Sequence, residues 1–146
     1  MNNLAALTKE EHARSPSQVS PGLRRALLAD AVVSGASGLL MFGGAGFLAG
    51  LLHLPEPLLR YAGLILLPYG ALVAWVATRD KLQRPAVWTV IVANALWAAD
   101  SIVLLLSGWV APTALGYGFV IAQAVVVAVF AEIQYSDLRK QAATVA

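Results

Sequence analysis

Two aspartates stand inside otherwise apolar stretches of this sequence, and both are placed to do chemistry. Asp30 precedes the charge-free stretch 31–55, and Asp100 separates the charge-free stretches 85–99 and 101–131. An ionisable side chain in such surroundings is costly and therefore needs a partner or a function. Helical spacing sets Asp30, Ser34, Ser37 and Met41 on one face, at offsets of 4, 7 and 11 residues. An acid there either pairs with Arg24, Arg25 or a neighbour on its own helix, or serves as a substrate or proton site. Asp100 is the sharper case, because it falls beyond the midpoint of its stretch. Its expected partners are Ser37, Gln123 and an inward-reaching Arg60. Asn94, Trp97 and Ser101 form a helical face about a third of a turn away. Asp30, Asn94, Asp100 and Gln123 are thus the candidates for a ligand or proton path.

Other chemistry is poorly provided for. The chain has no Cys, which removes disulfides, thiolate nucleophiles, Cys-ligated zinc and iron–sulfur clusters. His12 and His53 are its two histidines. Neither lies within a long apolar stretch at mid-depth, so no bis-His haem is expected. His53 with Glu56 does not make a zinc site. Gly44-Ala45-Gly46-Phe47-Leu48-Ala49 has the form of a dinucleotide fingerprint, but no strand precedes it, and it reads as a bend. No nucleophile has a reachable His base. The expectation is no catalytic residue, no metal and no cofactor.

The elements that must position these residues follow from composition. The chain of 146 residues is 59% hydrophobic and 12% charged, against roughly 25% charged for an ordinary soluble domain. So small a soluble fold cannot hide that much apolar surface. A soluble enzyme, a disordered chain and a nucleic-acid binder are excluded. A bilayer core ~30 Å thick takes about 20 residues of helix, and the sequence supplies four such pieces, at about 25–42, 57–78, 85–107 and 113–136. Continuous apolar runs exclude the alternation of barrel strands. The fold class is all-α, an integral membrane four-helix bundle within 23–139, between a polar tail and linker at 1–22 and a short tail at 140–146. Thr8-Lys9-Glu10-Glu11 matches a capping box for a short helix in the first tail. Pro21 and Gly22 read as breakers before span one.

Small residues predict how the spans pack. Ser34, Gly35 and Gly38 on span one, and Gly63 and Gly70 on span two, allow close helix approach. Pro68 predicts a kink in span two. Whether 43–54, with Gly43-Gly44-Ala45-Gly46, is re-entrant or interfacial stays open. The chain also reads as two parallel helical hairpins. Ala29-Asp30-Ala31 and Ser37 have the spacing of Ala93-Asn94-Ala95 and Ser101, and Gly44 then falls on Gly108. With an even number of spans, nine of the ten Lys and Arg residues gather on one side and Arg60 alone on the other. The positive-inside rule makes that side cytoplasmic, with both termini.

Arg25-Ala26-Leu27-Leu28-Ala29-Asp30, Leu54-Pro55 and Asn94-Ala95-Leu96-Trp97 resemble features of small four-span bacterial inner-membrane proteins, a group without an assigned function. The resemblance covers 23–139 and implies no catalytic residues. In size and span number the chain is also similar to small multidrug-resistance transporters, in which an acid sits in span one; Asp30 is the position that could match. It lies nearer the membrane edge than that acid, and the aromatic pattern around it is absent. The functional expectation is a small subunit, scaffold or accessory factor in the bacterial inner membrane, a homo-oligomer or part of a membrane complex in contact with lipid. The alternative is a small proton-coupled transporter or channel using Asp100 and Asp30.

Overall fold

The computed structural model describes residues 18–143. The capping box at Thr8 lies outside them. Five helices follow in order: α1 (Pro21–Gly43), α2 (Ala45–Leu52), α3 (Glu56–Ala77), α4 (Arg84–Leu106) and α5 (Ala114–Ala143). Four of them, all but α2, are long and apolar enough to cross a membrane. The chain is a multi-pass, all-α membrane protein. Among the described residues the one β feature is an isolated bridge between Gln18 and Lys81.

Two helix ends depart from expectation. The Pro21-Gly22 pair opens α1 instead of breaking it, because the Ser20 hydroxyl accepts from the Leu23 amide at 3.2 Å and Pro21 sits where no donor is needed. Helix α5 runs seven residues past the expected span end at 136. Leu138 is buried in the same core as Leu23 of α1, so the extension has something to pack on. Pro68 lies inside α3 without ending it.

Residues 43–54 resolve into a one-residue break and a short helix. Gly44 leaves the helical path at φ −100°, α2 follows, and His53 turns the chain at φ +52°. Ala45, Leu48 and Leu52 of α2 are buried, while Phe47 on the other side is exposed. The end of α2 is tied to the start of α5: the Thr113 amide and hydroxyl donate to the carbonyls of Leu52 and Leu51, each at 3.0 Å, and the Thr113 hydroxyl accepts from the Gly116 amide at 3.1 Å. Helix α2 therefore lies across the end of the bundle that carries Arg60. Gly108, at φ +72°, turns the loop between α4 and α5.

The long helices form two hairpins. Helix α1 packs most extensively on α3, and α4 on α5. The first pairing depends on glycine. A Cβ on Gly63 would stand 2.5 Å from the Phe42 nitrogen and 2.8 Å from the Gly38 oxygen, and one on Gly70 would stand 3.1 Å from the Gly35 nitrogen. Backbone meets backbone there, which maximises dispersion contact where no hydrophobic effect drives helices together. Gly35 contributes its backbone only, since a Cβ on it would meet nothing within 4 Å. Between the hairpins, α1 contacts α5 more than α3 contacts α4.

The first described residues meet the loop between α3 and α4, and the end of α5 meets those residues in turn. The Val19 amide donates to the Asp80 carbonyl at 3.3 Å, Gln141 Nε2 to the Gln18 carbonyl at 2.8 Å, and Arg24 Nη2 to the Arg79 carbonyl at 3.1 Å. The residues rich in Lys and Arg thus gather at one end. Trp75, under the Arg79 guanidinium at 4.1 Å, and Trp88, edge-on to Tyr135 at 5.7 Å, sit near it as interfacial anchors.

Candidate functional site

Side chains from all four spanning helices converge on Asp30. They do so because each helix presents a polar residue at matching depth: Asp30 is nine residues from the start of α1, Tyr69 eight from the end of α3, Asn94 ten from the start of α4 and Gln134 nine from the end of α5. At ~1.5 Å per residue this layer lies about 12–15 Å in from the charged end. Asp30, Asn94 and Gln134 are each at most 2% exposed. Asp30 is buried and pairs with neither Arg24 nor Arg25. Arg24 lies 3.6 Å from Asp80 instead.

The geometry suits a carboxylate. Asp30 Oδ1 accepts from the Ser34 hydroxyl at 3.0 Å, and Oδ2 accepts from Asn94 Nδ2 at 2.6 Å and Gln134 Nε2 at 2.8 Å. The Tyr69 hydroxyl stands 3.5 Å from both Oδ2 and the Val90 carbonyl oxygen and has one proton for the two. These neutral donors spread over the carboxylate and compensate the loss of water without a counter-cation. Gln134 Oε1 is buried with no hydrogen-bond partner. The Gln134 amide therefore uses only its nitrogen in the cluster. The cluster thus has one adaptable member, the Gln134 amide.

Asp100 and Gln123 belong to a different place. They line a cavity of about 350 Å³ in the half of the bundle away from the charged end, with Tyr61, Trp97, Ser101 and Phe119. Six residues, or about 9 Å, separate Asp100 from the end of α4. None of its expected partners reaches it. Arg60 bonds Glu56 one turn back and lies 6.0 Å over the Phe42 ring, Gln123 Nε2 donates to Met41 Sδ at 3.4 Å, and Ser37 faces another cavity. Asp100 has no hydrogen bond or ion pair among the described residues. That second cavity, about 250 Å³, opens between α1 and α5, and a third of about 100 Å³ reaches Ser34, Tyr69 and Asn94. Trp97 borders all three.

Of the four candidate residues, Asp30 and Asn94 are thus bonded to each other, while Asp100 and Gln123 share a cleft. Tyr69 and Gln134 are the members that sequence reasoning missed. Gln134 follows Gln123 by eleven residues, three helical turns, which places both on one stripe of α5; that spacing was the available signal. No protein-family model, curated protein or solved structure matches this chain.

Proposed function

We propose that this chain is a non-catalytic subunit, scaffold or accessory factor of the bacterial inner membrane, with both termini cytoplasmic. The single observation that supports this reading is the commitment of Asp30. Its oxygens are occupied by side chains from its own helix and from α4 and α5, with Tyr69 of α3 beside them. A buried polar group satisfied in this way joins four helices into one arrangement and leaves little capacity for turnover. Apolar side chains such as Val32, Leu39, Val103 and Val125 remain exposed along α1, α4 and α5 and suit lipid or a partner's helices. The resemblance to small four-span inner-membrane proteins agrees with this reading. Purification in mild detergent with mass measurement tests it: a homo-oligomer or a partner at fixed stoichiometry is expected. A monodisperse monomer that moves protons or solute in proteoliposomes overturns it.

One observation favours a second reading, a small proton-coupled transporter. All three cavities border Trp97; one is lined by Asp100 and another by Ser34, Tyr69 and Asn94 of the collar of Asp30. In that reading the two acids mark the ends of a polar path, and flux would be lost in both Asp30→Asn and Asp100→Asn.

A further inference from the structure

The cavity at Asp100 has a volume within the ~300–1,000 Å³ of small-molecule sites, and such sites join apolar walls to a few polar groups. Its walls include the rings of Tyr61, Trp97 and Phe119 and the aliphatic side chain of Ile65. Its polar edge is the Asp100 carboxylate, with the Gln123 amide nearby. Among the described residues the carboxylate, like the Tyr61 hydroxyl, holds no partner, and Arg60 is committed to Glu56. In the matching cavity between α1 and α5, Val33 and Ser37 stand where Trp97 and Ser101 stand here, and the residue matching Asp100 is Ala36. Packing a cleft of this kind does not require an acid.

We propose that this cavity binds a lipophilic ammonium, a protonated amine on a small apolar body, with the amine on Asp100 and the body among the aromatic rings. Asp100 is exposed at the rim of this apolar cavity; an unpaired carboxylate at such a rim calls for a cation, and the ring faces add cation–π attraction. A divalent metal ion fits poorly, because it takes six or more oxygen ligands or an octahedral shell and this cavity offers one carboxylate. The contact between α3 and α4 is slight, so the cavity opens sideways toward lipid, and a ligand that dissolves in the membrane can reach it. The same ammonium chemistry occurs on the headgroup of an ethanolamine phospholipid. That headgroup also brings a phosphate, for which the lining has no Lys or Arg, and this favours the free amine. The proposal holds whether the chain acts as a subunit or alone.

The test measures binding of 4-phenylbutylamine, 4-phenylbutanol and 4-phenylbutyrate to the purified full chain in nanodiscs of phosphatidylcholine. The amine is expected to bind at least about tenfold more tightly than the alcohol or the acid, the ratio that ~1.4 kcal/mol of charge-assisted contact gives. Asp100→Asn should abolish that preference while melting at the unliganded wild-type temperature, since Asp100 bonds nothing, and Asp100→Glu should retain it. Equal binding of amine and alcohol, or an amine preference that survives in Asp100→Asn, overturns the proposal. A second arm adds phosphatidylethanolamine to the nanodiscs. Unchanged amine binding supports the free amine as ligand, and an amine preference that phosphatidylethanolamine removes from the wild-type protein overturns it in favour of the lipid headgroup.

Discussion

The cluster around Asp30 predicts a sharp difference between two substitutions at one position. In Asp30→Asn, the side-chain oxygen can take the Oδ2 place and keep both amide donors, from Asn94 at 2.6 Å and Gln134 at 2.8 Å. The new NH₂ then faces the Ser34 oxygen, now 3.0 Å from Oδ1, and the hydroxyl turns to accept. Three bonds survive, each weakened by about 1 kcal/mol as the acceptor loses its charge. Removal of a buried charge, whose desolvation costs several kcal/mol, offsets that loss. The net change should be about 1 kcal/mol or less. In Asp30→Ala, Ser34 can turn back to a carbonyl of its own helix, but two fully buried amide groups lose their acceptor at about 1–3 kcal/mol each. The expected cost is about 3–6 kcal/mol with the small cavity included. Detergent-solubilised protein should show this as a fall in melting temperature of about 10 °C or more for Ala and little change for Asn. Adding Asn94→Ala to Asp30→Ala should cost much less than the sum of the single variants, because the orphaned donor is gone. Equal melting temperatures for the Ala and Asn variants would refute the reasoning. An Asn variant as unstable as the Ala one would show that the negative charge itself holds the bundle.

Two further outcomes follow from the same packing. Gly63→Ala should destabilise by about 1–3 kcal/mol, since its Cβ meets backbone 2.5–2.8 Å away, whereas Gly35→Ala, whose Cβ meets nothing, should be neutral; melting curves of the two proteins check this, and equal losses would contradict it. Asn94→Asp sets two carboxylates together and should lower the melting temperature steeply above the acid range, while the exchanged pair Asp30→Asn with Asn94→Asp should recover most of it; failure of the exchange to recover stability would show that Asp30 cannot be moved across the pair.

The spans were legible because a bilayer fixes how long an apolar helix must be, and their ends were less so. At Pro21 the sequence holds a helix breaker that is also a good first residue, and the Ser20 cap decides between the two. Past residue 136 the sequence turns polar, and only the packing of Leu138 says that α5 continues. Asp30 was legible as an anomaly, but the donors around it come from three other helices, which the spacing on its own helix does not encode. Asp100 was equally visible as an anomaly. Its surroundings depend on which way α4 is rotated about its axis, and an almost uniformly apolar helix encodes that rotation in very few residues. Tyr69 was not legible, because a single phenol in an apolar stretch has no spacing to mark it.

The matched hairpins explain why these two acids differ. Asp30 and Asn94 occupy equivalent positions in the two segments, and in a pair of parallel hairpins equivalent residues can touch only near the axis that relates them. Their 2.6 Å hydrogen bond joins the two hairpins across the middle of the bundle. An acid on both sides there would repel itself, and an amide on both would leave the shared charge unneeded; one of each gives acceptor and donor. Away from the axis, strict symmetry would make the contact of α1 with α5 equal to that of α3 with α4. The first is the closer of the two. The looser side is where the cavity of about 350 Å³ opens and where Asp100 replaces the alanine of its counterpart. The buried acid therefore sits where the halves are forced together, and the unpaired acid sits where they part. The second position leaves a carboxylate free to meet something that is not part of the chain.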